Sequence, residues 1–403
     1  MLNVQADIFM PNNKEVPLSS ESAKTKSVRR HDLDWLRVFA VVVLLFFHSA
    51  RPFVNWGWHI KNETVSGFIT NILQFINIWH MPLFFLLSGS AAWFAMSLRP
   101  ERSFTKERVK RLFIPLIFGM VVIVPPQVYI ERIFRDQFEG SYFSFYLEAF
   151  NGPYPEGNLS WHHLWFLAYL FVFSLLALPV FKRYLVDRKP AFLKRLMDSM
   201  DGRWSLFAPA IPLALYEAVL RPYWPGGNQN LINDWANFVS YFTIFVYGFV
   251  LVSDQKYQLL IQRHGNKATL LSLVTSLVLL LFYPVGAKLG LSKPVFGILE
   301  LFYRIIWGFS CWFWLVALLS IGARFLNFTN RFLVYSNEAV LPIYILHQTV
   351  IVIATFFIIK LSLPILSALI LVTFCAFAGS IIIYDLVVKR IKWVRVLFGM
   401  RIG

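Results

Sequence analysis

Charge is the property that this sequence lacks most. Only 15% of its 403 residues are Asp, Glu, Lys or Arg, whereas a soluble domain has about 25%. With 57% apolar residues and a mean hydropathy of +0.58, the chain carries more apolar surface than one core in water can hide. These figures exclude an ordinary soluble enzyme and predict a chain that is solvated mainly by lipid.

Cysteine is almost absent as well. The two cysteines, Cys311 and Cys375, both fall inside long apolar runs, which excludes a disulfide framework and a thiolate metal cluster. The sequence also has no Gly-rich phosphate loop. We therefore expect both cysteines to be packing residues, and we expect no metal site and no tightly bound cofactor.

Long apolar runs, in contrast, recur along the chain, and ten of them are long enough to cross a hydrocarbon core of about 30 Å. They lie at residues 33–50, 66–97, 112–130, 161–181, 205–220, 235–253, 268–287, 297–321, 333–357 and 364–386. This pattern predicts an all-α, polytopic membrane protein with about ten transmembrane helices. We expect a flexible basic cytoplasmic tail at 1–32, a transmembrane domain at 33–386 and a basic cytoplasmic tail at 387–403.

The distribution of Lys and Arg predicts the orientation, because cytoplasmic loops accumulate these residues. If both termini are cytoplasmic, 28 of the 38 cations fall in inner segments and eight in outer loops. The net charge of +16 is then explained by topology and by attraction to anionic lipids. A nucleic-acid partner becomes unnecessary, and we expect a multi-pass protein of the bacterial inner membrane.

The first predicted span contains two basic residues, Arg37 and His48. They are eleven residues apart, so they lie on one helical face and roughly 16 Å apart along the axis. Asp34 precedes Arg37 by three residues and can pair with it. Ionisable groups inside a span are functional candidates by default, although a snorkelling anchor and a hydrogen-bonded interior histidine remain open alternatives.

Further candidates lie at the ends of other spans. Arg108 and Arg111 share a helical face next to the third span, where two guanidinium groups suit a polyphosphate ligand or lipid headgroups. His163, near the start of the fourth span, and the pair Tyr344 and His347, which share a face of the ninth, are candidates for binding an acceptor. Ser88 is a further candidate in the second span.

These segments resemble the motifs of the integral-membrane acyltransferase 3 family, in the same order and at similar spacing. The matching segments are Asp34-Trp-Leu-Arg37 with His48, Pro82-Leu-Phe-Phe-Leu-Leu-Ser88-Gly89, Arg108-Val-Lys-Arg111-Leu-Phe-Ile-Pro115, His163-Leu-Trp-Phe-Leu167 and Ile343-Tyr-Ile-Leu-His347. Within the family, the chain most resembles the stand-alone group that includes the periplasmic glucan biosynthesis protein C. It departs from many carbohydrate O-acetyltransferase members at Trp79-His80-Met81-Pro82, where those members carry Gly-Gly and an Asp.

The resemblance implies that an acyl group, acetyl or succinyl, passes from cytosolic acyl-coenzyme A to a hydroxyl of an extracytoplasmic or lipid-linked acceptor, usually a glycan. It implies that Arg37 and His48 are essential and that Arg108 and Arg111, with Arg37, hold the coenzyme A phosphates. His48 then acts as a base or as a nucleophile, and His163, His347, Tyr344 or Ser88 orients the acceptor or stabilises the oxyanion.

Two other classes of protein stay open at this point. A secondary transporter or flippase for a carbohydrate- or lipid-linked substrate also has many spans with broken helices and intramembrane charges. The hydropathy pattern, however, shows no symmetry between the two halves of the chain. A purely structural or sensory membrane protein would leave Arg37, His48 and the Arg108/Arg111 pair without a role.

Overall fold

A computed structural model describes residues 29–98, 100–186, 208–226, 229–288 and 293–401. The predicted tail at 1–32 therefore lies outside the described residues, apart from its last four. Across the described ranges the chain is all-helical and contains no β-strand. The predicted fold class is confirmed at this level.

The N-terminal half forms eight helices with short irregular turns between them. These are α1 (His31–Ala50), α2 (Gly67–Asn77), α3 (His80–Ser97), α4 (Glu101–Arg108), α5 (Ile114–Phe118), α6 (Pro125–Phe134), α7 (Tyr142–Glu148) and α8 (Trp165–Val186). Two π-turns, Val109–Phe113 and Gly119–Ile123, join α4 to α5 and α5 to α6. A 3₁₀ turn, His162–Leu164, precedes α8.

The C-terminal half contains the longest helices. These are α9 (Ala210–Val219), α10 (Trp235–Ser253), α11 (Gln255–Lys288), α12 (Lys293–Phe325), α13 (Arg331–Ile358), α14 (Ile365–Ile383) and α15 (Lys392–Leu397). The segment after α14 does not leave the bundle, because Val394 and Phe398 are buried and Arg395 pairs with Glu338 of α13 at 2.9 Å.

Within the described ranges, eight helical stretches are long and apolar enough to span a membrane, and the number is nine if the bent pair His162–Leu176 and Leu178–Leu185 counts as one span. The predicted fifth span, 205–220, appears as α9, a helix of ten residues. Its length gives about 15 Å of helix, half of a hydrocarbon core. The chain is thus a multi-span helical protein, and the number ten stays a prediction.

Several pairs of helices run in the same direction. Contacts join Arg37 to Asn337 and His48 to His347, so α1 and α13 are parallel. Ring contacts join Phe85 to Tyr241 and Trp93 to Phe249, so α3 and α10 are also parallel, and glycine permits their crossing. A Cβ atom on Gly89 would lie 1.9 Å from the Phe245 carbonyl oxygen, and one on Gly248 would lie 1.9 Å from that of Leu86. The backbones can approach this closely only because neither glycine carries a side chain.

Candidate active site

The polar end of α1 that contains His48 meets α13 and the turn before α8 in a group of histidines. His48 Nδ1 lies 2.7 Å from His347 Nε2, and the rings of His347 and His163 meet edge to face at 5.1 Å. Tyr344 donates its hydroxyl hydrogen to the carbonyl oxygen of His163. We call these four residues the histidine cluster. The structure thus brings together residues from three of the predicted sequence segments.

Neighbouring carbonyl groups determine which nitrogen of each imidazole in the cluster carries the proton. His347 Nδ1 lies 2.6 Å from the carbonyl oxygen of Tyr344, so this nitrogen is the donor and Nε2 is the acceptor. His48 Nδ1 must then donate to His347 Nε2, which leaves the lone pair of His48 Nε2 free. His163 Nε2 donates to the carbonyl oxygen of Ile345 at 2.9 Å.

A loop between α1 and α2 covers His48. The ring of Trp58 stacks on His48 with centroids 5.3 Å apart, and Trp58 Nε1 is buried without a hydrogen-bond partner. Lys61 holds this loop by donating to the carbonyl oxygens of Val54 and Trp56. Burial, together with the charge of Arg51, lowers the pKa of Lys61. Trp58 therefore places an unused N–H donor beside the cluster.

A second network, not predicted from the sequence, fixes the base of this loop. His59 Nδ1 donates to Glu131 Oε2, and Gln348 Nε2 donates both to His59 Nε2 and to Gln127 Oε1, each at 3.0 Å. The Tyr154 hydroxyl donates to Glu131 Oε1 at 2.9 Å. We call these five residues the Glu131 network. It connects the loop to α6 and α13.

The Glu131 network and the histidine cluster are built from the same short segments of chain. Residues 58 and 59, 162 and 163, and 347 and 348 each send one side chain toward the histidine cluster and the neighbouring one toward the Glu131 network. On a helix, neighbouring side chains point in different directions, which accounts for residues 347 and 348. The adjacent side chains of His162 and His163 diverge in the same way.

Three residues in this region can be considered as metal ligands, contrary to the expectation of no metal site. The ligand atoms of His59, Glu131 and His162 all lie within 4.8 Å of one another. Two histidines and a glutamate are the protein ligands of some catalytic zinc sites. In the structure, however, both nitrogens of His59 and both oxygens of Glu131 already have hydrogen-bond or ion-pair partners.

The opposite end of α1 is basic. Arg37 donates to Asp34 at 2.9 Å, as predicted, and contacts Asn337 of α13 at 3.4 Å. Arg111 lies close enough to Arg37 and Arg401 to experience their repulsion, and Glu107 contacts both Arg111 and Arg401. The two ends of α1 therefore carry different chemistry, with arginines and their carboxylate partners around Arg37 and imidazole donors and acceptors around His48.

Arg108 and Arg111 differ from the predicted arrangement. The α-helix ends at Arg108 and a π-turn begins at Val109, so the regular i, i+3 face of an α-helix is interrupted between the two residues. Arg108 lies over the Phe104 ring at 4.5 Å, whereas Arg111 donates to the carbonyl oxygen of Gly399 at 3.2 Å. Arg111 thus adjoins the C-terminal segment.

Ser88 is the candidate that the structure leaves apart from the others. It lies on α3, where the neighbouring Ser90 donates to the Gly248 carbonyl oxygen of α10 at 3.0 Å. Among the described contacts, none joins Ser88 to the histidine cluster. The sequence analysis missed Trp58, His59 and Glu131, although a glutamate one residue beyond a predicted span was a usable signal.

Comparison with known families identifies the chain. Residues 30–385 match the family model that describes an acyltransferase domain. The chain belongs to the acyltransferase 3 family. Glucans biosynthesis proteins C from two Salmonella strains, paratyphi A and agona, are each 23% identical over 331 residues, covering 79% of this chain and 82% of theirs. No solved structure gives a significant match.

The resemblance inferred from the five motifs is thereby confirmed. This acyltransferase 3 chain is a multi-pass membrane protein of a family that transfers acyl groups. All of its predicted site residues lie within the matched range.

Proposed function

We propose that this acyltransferase 3 chain transfers an acyl group, acetyl or succinyl, from cytosolic acyl-coenzyme A to a hydroxyl of an extracytoplasmic glycan. The observation that carries the proposal is the chain of hydrogen bonds from the Tyr344 carbonyl through His347 to His48. It leaves a lone pair on His48 Nε2, as a general base requires. The names of the curated relatives support a glucan as the class of acceptor.

The proposed donor site is the basic end of α1. Arg37, Arg111 and Arg401 gather there from three parts of the chain, and Arg108 lies nearby in sequence. Guanidinium groups suit the phosphates of coenzyme A. The rise from Arg37 to His48 is roughly 16 Å, a distance that the extended pantetheine arm can span, so the thioester can reach His48 while the nucleotide stays at the basic end.

In the proposed step, the acceptor hydroxyl gives its proton to His48 Nε2 while its oxygen attacks the thioester carbonyl carbon. The resulting imidazolium is stabilised because its Nδ1–H donates to His347 Nε2, in the way that a third group supports the base of a catalytic triad. When the tetrahedral intermediate collapses, the carbon–sulfur bond breaks and His48 returns the proton to the coenzyme A sulfur. His48 thus acts as the base of a direct transfer.

Trp58 is the proposed oxyanion donor. The hydrogens of the Tyr344 hydroxyl, His163 Nε2 and His347 Nδ1 are already donated to backbone carbonyls. Trp58 Nε1 has no partner and belongs to the ring that stacks on His48. Oxyanion stabilisation requires an N–H donor that can bond to the oxygen on which negative charge develops in the transition state.

We also propose ten spans with both termini in the cytoplasm of a bacterial inner membrane. The directions of α8 and α10 support this topology. Trp165 stacks near Tyr241 and Tyr184 near Phe249, so both helices run the same way. If both cross the membrane, the chain between them must return to the side on which α8 began, and α9 lies on that return.

The test uses purified protein in lipid nanodiscs, with radiolabelled acyl-coenzyme A and a glycan fraction from the envelope. We expect His48→Ala to abolish label transfer, and His264→Ala, which alters a histidine of α11, to leave transfer unchanged. Transfer that persists in His48→Ala would overturn the assignment of the base.

Mass spectrometry compares envelope glycans and lipids from cells with and without the protein. A mass increment that depends on the protein identifies both the acyl group and the molecule that carries it. Movement of an unmodified glycan across the membrane without acylation would instead identify a flippase.

A further inference from the structure

A polar cavity lies between α3, α9, α10 and α12, and the described residues that line it include none of the histidine cluster or of the basic end. Its volume is about 390 Å³, within the range of about 300–1,000 Å³ typical of small-molecule sites. The polar side chains that line it include Glu217, Arg221, Asn237, Ser240, Glu300 and Arg304. The proposed mechanism uses none of them.

The charged residues of this cavity form two ion pairs, each between residues that lie four apart in one segment of the chain. Arg221 makes two hydrogen bonds to Glu217, at 2.8 and 2.6 Å, and a third to Asn237 at 2.9 Å. Arg304 pairs with Glu300 at 3.1 Å. Ionisable groups at membrane depth are costly and mark binding sites or pathways. Two such pairs around one cavity therefore indicate a polar ligand.

The pairing also restricts the ligand. Because each guanidinium already faces a carboxylate, the two pairs contribute no net charge that would favour a phosphate or a free carboxylate. The cavity offers donors and acceptors side by side. Hydroxyl groups both donate and accept, so a neutral polyhydroxylated ligand satisfies this lining better than an anion does.

Ser240 supplies an independent observation. This residue lines the cavity and is only 7% exposed, and its hydroxyl has no hydrogen-bond partner among the described residues. A buried hydroxyl without a partner is costly, so a ligand that bonds to it is favoured. Tyr241 and Trp307 add aromatic surface to the same lining, and aromatic rings next to polar groups suit the apolar face of a sugar ring.

The cavity shares a wall with the histidine cluster. Tyr241 stacks against Trp165 with centroids 5.9 Å apart, and Trp161 Nε1 donates to the carbonyl oxygen of Gln229 at 3.1 Å. Both Tyr241 and Gln229 line the cavity. His163 lies in sequence between the two tryptophans of this wall. The tryptophans on either side of His163 in the sequence thus contact residues that line the cavity.

We propose that this cavity binds a neutral sugar unit of the glycan, beside the unit that receives the acyl group. The identity of the ligand as part of an acceptor rests on the proposed function. Binding at a site remote from the reacting hydroxyl supplies energy for positioning that hydroxyl.

The experiment measures binding of two neutral glucose hexamers, maltohexaose and laminarihexaose, by calorimetry to the full chain in nanodiscs of fixed lipid composition. We expect at least one hexamer to bind. Ser240→Ala should weaken that binding several-fold, and Ser240→Leu, which fills the cavity, should weaken it more than tenfold. Ser380→Ala removes another buried, unpartnered hydroxyl, on α14, and should leave binding unchanged.

Thermal unfolding of each variant shows whether it is folded, and Ser240→Ala keeps the test decisive if Ser240→Leu does not fold. The proposal is overturned if the parent protein binds neither hexamer. It is also overturned if a folded Ser240→Leu variant binds as well as the parent, or if the cavity retains a phospholipid. His48→Ala should still bind the hexamer. If acyl transfer is absent but Ser240-dependent binding remains, the proposed function fails and the sugar site stands.

Discussion

At the scale of single residues, the site depends on which hydrogens are already in use. His48 Nδ1 donates to His347 Nε2, and His347 Nδ1 donates to the carbonyl oxygen of Tyr344. This direction of donation leaves the lone pair on His48 Nε2. The residue types alone did not give this direction. Backbone carbonyl groups set it, and their positions become known only when the helices are packed.

The assignment of Trp58 leads to a first prediction. Trp58→Phe keeps an aromatic ring on His48 but removes the indole N–H, and we expect kcat to fall about 10²–10³-fold, as for the loss of one oxyanion donor. KM for acyl-coenzyme A should change little, because the proposed donor site lies at the other end of α1. Steady-state kinetics measures both constants. Trp56→Phe, in the same loop, is the control, and an equal loss there would assign Trp58 a packing role only.

The possible metal ligands lead to a second prediction. Because His59 and Glu131 already have hydrogen-bond or ion-pair partners at every ligand atom, we expect the purified protein to contain far less than one equivalent of Zn²⁺, Mn²⁺ or Fe. Acyl transfer should be unchanged after chelation with EDTA. Inductively coupled plasma mass spectrometry measures the content. One equivalent of zinc that disappears in His162→Ala would show that the three residues form a metal site.

At the scale of elements, short adjacent segments serve two networks at once. The loop after α1, the turn before α8 and the middle of α13 each provide one residue to the histidine cluster and the next residue to the Glu131 network. The Glu131 network therefore holds the loop that carries Trp58. Burial and the Glu131 carboxylate raise the pKa of Tyr154 to about 12, so its hydroxyl remains a donor throughout the physiological range.

A third prediction concerns the Glu131 network. Glu131→Gln removes the charge that accepts hydrogen bonds from His59, Tyr154 and Arg135, and we expect a loss of about 1.5–3 kcal/mol, the contribution of a hydrogen bond to a charged group. Thermal unfolding in nanodiscs measures the loss, and kcat should fall with it because Trp58 is less firmly held. Glu139→Gln, an exposed acid beyond α6, should change neither quantity. Unchanged thermal stability in Glu131→Gln would contradict the role of the Glu131 network in holding the loop that carries Trp58.

At the scale of the whole molecule, the arrangement of helices separates two kinds of chemistry. On the parallel helices α1 and α13, Arg37 meets Asn337 near the start of each helix, and His48 meets His347 about three turns later. A reaction that joins a cytosolic donor to an extracytoplasmic acceptor needs this separation within one protein. The cavity between α3, α9, α10 and α12 places a further polar site beside the histidine end.

The proposed topology gives a fourth prediction, tested in intact cells after Cys311 and Cys375 are replaced by alanine. Ile232→Cys, in the segment before α10, should react with a membrane-impermeant maleimide from outside. Trp393→Cys, on α15, should react only after the cells are opened. Both side chains are exposed. Protection of Ile232→Cys in intact cells would show that the chain does not recross between α8 and α10.

The sequence by itself determined the fold class, the family and the existence of Arg37, His48, His163, Tyr344 and His347 as a related set. It could do so because apolar length and intramembrane polarity are local properties of the chain, and because motifs keep their order. The pairs Arg37 with Asp34 and Arg304 with Glu300 were also predictable, since residues three or four apart on a helix are neighbours.

Only the tertiary structure decided which of these side chains meet. It brought His48 to His347 across 299 residues and placed Glu131 beside His59 across 72. It interrupted the Arg108 and Arg111 face with a π-turn, and it set Ser88 apart from the histidines. Contacts of this kind depend on how the helices pack and in which direction they run, and local spacing carries no record of either.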